Sequence, residues 1–120
     1  MKKEVKELWC KALRSGEYKK CKERLKKGAK RCCLGVLTEV YCKEHNMTWD
    51  DLVKKEKFTF PNTVLCNTVI DWVELNNNES PFSPIIVYVN PLRLIDSLAG
   101  VNDYTSSNFR TIANIIEKQL

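Results

Sequence analysis

Val5, Leu8, Trp9, Ala12 and Leu13 recur at i, i+3, i+4, i+7 and i+8. That spacing lines one face of a helix, and lysines and glutamates fill the opposite face. Gly16 just beyond it suits a left-handed helix terminus, and Arg14 in the last turn complements the helix dipole. Residues 17–31 are polar and lysine-rich, with Tyr18 and Leu25 as the anchors of a loop or short helical turn. From Cys33 the apolar positions crowd together, and Leu34, Val36, Leu37, Val40 and Tyr41 predict a second, more buried helix reaching about His45. Gly35 within it costs about 1 kcal/mol relative to alanine, so it points to a close approach by another backbone or helix.

Thr48-Trp49-Asp50-Asp51 reads as an N-cap and first turn, because the threonine hydroxyl can accept from free amides and the acids favour the positive end of the dipole. The charge cluster Lys54 to Lys57 keeps any helix there short. Phe58-Thr59-Phe60 alternates like a strand and is bounded by Pro61. Val64 to Leu75 predicts a third main helix with Leu65, Val69, Trp72 and Val73 inward, closed by a surface loop from Asn76 to Pro81. Ile85 to Val89 is the best strand candidate, β-branched and bracketed by Pro84 and Pro91. Leu92 to Val101 reads as a helix ending at Asn102-Asp103. A final helix after Ser106-Ser107 places Phe109, Ile112, Ala113 and Ile116 on one face. The sum is a mainly α (α+β) fold: a single compact domain over residues 1–120, with about four to five helices and a small two-stranded β element. There is no internal repeat and no low-complexity tract.

A length of 120 residues with 43% hydrophobic and 29% charged positions is that of an ordinary soluble globular domain able to bury a core. No apolar run is long enough to span a membrane. The start, Met1-Lys2-Lys3-Glu4-Val5-Lys6-Glu7, meets acidic residues before an apolar stretch can form, so no signal peptide is expected. The net charge of +5 is unevenly placed: residues 1–31 carry 13 Lys/Arg against 4 Asp/Glu, while the remainder carries 7 against 11. The first quarter is thus a cationic surface that can steer anionic partners, or simply a solvated helix face with a lysine-rich loop.

The candidate chemistry is sparse. Cys10, Cys21, Cys32, Cys33, Cys42 and Cys66 have no secretory context that would pair them, and no Cys-x2-4-Cys spacing that would hold zinc with the single histidine, His45. They read as small buried hydrophobes with free thiols, and neither a metal nor a cofactor is expected. Cys32 has one attribute of a nucleophile, a place just before a helix and after Lys30-Arg31, but His45 falls at the far end of that helix. The adjacent acids Asp50-Asp51 are explained by capping. With no glycine-rich phosphate loop and no nucleophile elbow, the pattern argues against an enzyme without deciding the question.

Binding has more support. Arg14, Ser15, Gly16 and Tyr18 bring a guanidinium fork, a hydroxyl, a permissive turn and an aromatic ring within five positions. An anionic ligand with a planar ring can use all of them, since arginine pairs bidentately with phosphate while tyrosine stacks or donates. The same residues also suit a helix terminus whose tyrosine packs back on the core. Asn102-Asp103-Tyr104 can complete a polar site from the other end of the chain, or form an Asx turn between helices.

The motifs Trp9-x3-Leu13-Arg14-Ser15-Gly16-x-Tyr18 and Cys32-Cys33-Leu34-Gly35-Val36-Leu37, with Trp72, Leu98 to Asp103, and Phe109-Arg110-Thr111-Ile112-Ala113, carry a resemblance. The chain resembles a widespread family of small, uncharacterised proteins of tailed bacteriophages and prophages. It departs from that pattern in having Lys20 where glutamine is usual, followed by an unusually lysine-rich stretch. The resemblance implies residence in the host cytoplasm and an accessory role in countering host defence, where many signals are nucleotide derivatives. Together with the basic start, it leads to the expectation of a protein that binds and sequesters an anionic, nucleotide-like small molecule. Arg14, Tyr18 and Lys20 are the principal contacts, with Ser15, Asn102 and Asp103 as further candidates. The first rival is an interaction module that inhibits a host defence protein through the basic N-terminal face, with self-association left open. Nucleic acid ranks third, because no helix shows base-reading side chains at its start.

Overall fold

The computed structural model describes residues 2–57, 65–73, 86–89, 94–104 and 108–120. The apolar stripe at the start forms α1 (Lys3–Arg14), with Val5, Trp9, Cys10 and Leu13 buried. Gly16 ends it at φ +81°, the left-handed conformation its place after the helix calls for. Central to the fold is α2 (Cys33–Glu44), of whose residues only Glu39, Lys43 and Glu44 are not buried. A helix apolar on nearly all sides belongs inside a core, and the other helices gather round it. Trp9 of α1 is fully buried, and its indole N–H donates to the Cys33 carbonyl at 2.9 Å. Along its length α1 also packs against the last helix, α6 (Phe109–Gln119), whose Ile112, Ala113 and Ile116 are inward.

Capping chemistry sets the helix starts. At α3 (Trp49–Glu56), Thr48 and Asp51 form a reciprocal capping box, the hydroxyl accepting from Asp51 N–H at 3.1 Å and the carboxylate from Thr48 N–H at 3.0 Å. Asn108 caps α6 through Thr111 N–H at 2.9 Å. The third main helix is present as α4 (Asn67–Val73), with Leu65, Val69 and Val73 in the core and Trp72 set edge-on to Tyr41 at 5.4 Å. Phe58-Thr59-Phe60, the Asn76 to Pro81 loop, and Ile85 lie outside the described residues.

Two segments differ from the reading of the sequence. Residues 17–31 are neither plain loop nor helical turn: β1 (Lys26–Lys27) and β2 (Lys30–Arg31) make an antiparallel hairpin, and Lys20 bridges Arg31. Its turn has Gly28 at φ +58° in the first of two central positions, where a tight hairpin asks for glycine. Further on, Leu94–Ser97 is not the start of a helix but strand β4, paired antiparallel with β3 (Ile86–Val89) in the register Ile86↔Ser97 to Val89↔Leu94. A ladder partner overrode residues that suit a helix equally well. The helix, α5 (Leu98–Tyr104), therefore begins later and includes Asn102 and Asp103.

The result is one compact, mainly α domain of six helices with small antiparallel β elements among the described residues. Its radius of gyration is 13.3 Å, against about 13.6 Å expected for a domain of this length.

Candidate functional site

The end of α1 and the start of α6 border a groove of about 390 Å³. Leu13 and Phe109, both buried, form its apolar base, and Gly16 and Asn108 belong to its walls. Four further side chains line it: Arg14, Tyr18, Lys20 and Arg110. The groove thus holds the three principal residues picked from the sequence, and the packing of α6 adds a third cation from near the other end of the chain.

Each of these side chains is held differently. Arg14 Nη2 donates to Asn114 Oδ1 at 2.8 Å and to Glu117 Oε2 at 2.6 Å, so α6 positions the guanidinium. Its Nε and Nη1 hydrogens have no partner among the described residues, and the side chain is 33% exposed. Tyr18 is half-buried against the core, with Lys43 Nζ 5.5 Å from its ring centroid. Hydrogen bonding to Tyr18 and to Glu17 holds the Lys43 ammonium above its usual pKa. Lys20 is half-buried; burial and neighbouring Lys22 push its pKa down, while Cys33 and Asp103 pull it up.

Arg110 is exposed and has no carboxylate partner among the described residues. It lies in the first turn of α6, where the dipole favours an acid, and that turn contains none. Three cations around one groove repel one another. A bound anion would relieve that repulsion.

The remaining candidates do other work. Ser15 terminates α1: its hydroxyl donates to the Ala12 carbonyl at 2.6 Å and accepts from Glu17 N–H at 3.2 Å. Asn102 is not in an Asx turn but fully buried inside α5. Its Oδ1 accepts from Cys33 N–H at 3.1 Å, and its Nδ2 donates to the Cys21 carbonyl at 2.8 Å and to Asp103 Oδ1 at 2.9 Å. That amide is committed to the protein, and neither Asn102 nor Asp103 lines the groove. Asn102 instead joins three segments at one point and fixes Cys21, the neighbour of Lys20.

All six thiols are unpaired and buried. Cys32 caps α2, its sulfur accepting from Gly35 N–H at 3.4 Å, yet burial outweighs the helix N-terminus and pushes its pKa up to about 11. Burial also pushes the Cys33 thiol well above the ordinary thiol value and takes Cys42 to about 11. None of these is an activated nucleophile. His45 follows the continuous α2 and stacks on Tyr41 with ring centroids 4.0 Å apart. Its Nδ1 lies 2.8 Å from the Tyr41 carbonyl and so carries a proton. Among the described residues, no group of three His, Cys, Asp or Glu side chains could hold a metal, and no helix is long and apolar enough to cross a membrane.

The full length of the chain, residues 1–120, matches one family profile, a domain of unknown function. The chain belongs to the DUF8296 family. No curated protein and no solved structure matched it.

Arg110 is the groove residue that reading the sequence missed. A signal was there: an arginine two residues after an asparagine cap, in a first turn without an acid. Such a break with the local rule is a reason to look for a role beyond helix stability.

Proposed function

We propose that this chain is a phage protein that binds and sequesters an anionic, nucleotide-like small molecule in the groove between α1 and α6. The observation that carries the reading is the convergence of Arg14, Lys20 and Arg110 with the Tyr18 ring on one groove. With Nη2 of Arg14 held by Asn114 and Glu117, its Nη1 hydrogens are left to donate singly to a phosphate, Lys20 and Arg110 add charge, and Tyr18 supplies a surface for a planar ring. A volume of about 390 Å³ is at the small end for ligand pockets and suits a single ring with its phosphate. Among the described residues no carboxylate, histidine or cysteine lines the groove, which favours retention of a ligand over its conversion. The resemblance to phage accessory proteins supports a counter-defence role in the host cytoplasm.

Calorimetric titration with mononucleotides, cyclic nucleotides and cyclic dinucleotides tests the proposal. Binding by the wild-type chain is expected, and Arg14→Lys should weaken it by about 1.5–3 kcal/mol, because a compact ammonium cannot keep the pairs with Asn114 and Glu117 and also hold a planar N–H donor towards the anion. Arg110→Ala should weaken it as well. If no nucleotide binds while a host protein is captured through the basic N-terminal face, the protein is an interaction module instead.

A further inference from the structure

We propose that the β1–β2 hairpin is a second, separate site, which binds the phosphate backbone of nucleic acid. Lys19, Lys22, Arg24, Lys27 and Lys30 are all exposed on and beside it. None of the five pairs with a carboxylate among the described residues, and the one acid in the segment is Glu23. So dense a block of one sign is costly in a free surface and is relieved by a polyanion.

The hairpin is also rigid at its base. Leu25 is 1% exposed and anchors it in the core. Backbone hydrogen bonds run from Cys21 N–H to the Arg31 carbonyl and from Arg31 N–H to the Lys19 carbonyl, both at 2.9 Å. Arg31 is turned inward: its Nη1 donates to the Gly28 and Lys30 carbonyls at 2.9 Å each, and its Nη2 pairs with Glu39 at 2.8 Å. Lys26 and Arg31 flank Trp49 at 5.4 and 5.1 Å from the ring centroid. The outward lysines are therefore presented on a preorganised frame, which lowers the ordering cost of binding.

The exposed residues decide the kind of partner. Between residues 22 and 30 they are charged apart from Gly28 and Ala29. Stable protein interfaces are anchored by buried aromatic or large aliphatic side chains, and between residues 22 and 30 the one exposed apolar side chain is the methyl of Ala29. Recognition by charge density alone fits a regular array of phosphates, which duplex DNA provides at about one charge per 1.7 Å.

Fluorescence anisotropy of a labelled 20-base-pair DNA duplex with the full chain, from about 50 to 200 mM salt, tests the site. Binding that weakens steeply with salt is expected. The triple substitution Lys22→Glu, Lys27→Glu, Lys30→Glu should reduce affinity at least tenfold and lower the slope of log K against log salt by about 0.9 for each phosphate no longer neutralised. A Lys→Gln triple at the same positions should give a smaller loss, and circular dichroism should show both triples folded. The Lys→Gln triple should still bind nucleotide in the groove, weakened at most by the lost charge of Lys22 beside Lys20, and Arg110→Ala should leave DNA binding intact, so each site fails or stands by itself. Absence of DNA binding at the lowest salt overturns the proposal, as does binding that survives the triple substitutions. Equal affinity for polyglutamate with the same dependence on the hairpin lysines also overturns it, since the partner would then be an acidic protein.

Discussion

Leu25 and Gly35 meet backbone to backbone: a Cβ added to Gly35 would stand 2.0 Å from the Leu25 carbonyl oxygen and 2.9 Å from its carbon. That carbonyl also accepts from Cys32 N–H at 3.1 Å, so it cannot retreat without losing a hydrogen bond. Gly35→Ala should therefore destabilise the fold by about 1–3 kcal/mol or more, although alanine is the better helix former by about 1 kcal/mol. Thermal melting reads the sign directly; a variant as stable as the parent would mean that α2 and the hairpin base are not in contact.

Asn102 is the polar counterpart of this contact. Asn102→Ala leaves Cys33 N–H and the Cys21 carbonyl without their side-chain partner inside the protein. At about 1–3 kcal/mol for each buried group left unsatisfied, a loss of roughly 2–6 kcal/mol is expected in urea denaturation. Asn102→Asp keeps the acceptor but loses the donor and sets a second carboxylate beside Asp103. The new carboxyl should have a raised native pKa, so this variant should recover stability as the pH falls, whereas Asn102→Ala should not.

Glu117→Gln is expected to act in opposite directions on stability and on the proposed nucleotide binding. Its pair with Arg14 is exposed, at 33% and 63% for the two side chains, so Glu117→Gln should cost no more than about 1 kcal/mol of stability. With the competing negative charge gone, affinity for an anionic nucleotide should rise roughly two- to fivefold. Unchanged or weaker nucleotide binding in this variant would place the anion away from Arg14.

The buried thiols make stability depend on alkaline pH. In the native state Cys32 and Cys42 titrate at about 11, above the ordinary thiol value of 9.0, because burial disfavours the thiolate. Their raised pKa contributes stability that is fully present below pH 9.0 and is lost as pH rises from there towards 11. Each such thiol lowers the unfolding free energy by up to about 1.4 kcal/mol per pH unit in that window. Denaturation curves at stepped pH should show the decline, and serine at either position should flatten it in proportion.

Much of the fold was legible along the chain. The stripe Val5 to Leu13 forms α1, Thr48 caps α3, and Phe109 to Ile116 line one face of α6, because helical periodicity and capping are local properties of sequence. Gly35 signalled a close approach since a glycine in a buried helix is otherwise a cost. The β elements were harder. Lys26 to Arg31 form strands through a two-residue turn hidden within a charge run, and Leu94 to Ser97 form one through pairing with residues that precede them.

The candidate site divides in the same way. The chain alone brought Arg14, Tyr18 and Lys20 close, because they lie within seven positions of one another where a helix ends. Only the packing of α1 on α6 added Arg110 to the groove, and only the core showed that Asn102 points into the protein. Periodicity reports which side of an element is apolar, but not which distant element will cover it. That choice depends on contacts separated by about a hundred residues, such as Arg14 with Glu117, which exist only once the core has closed.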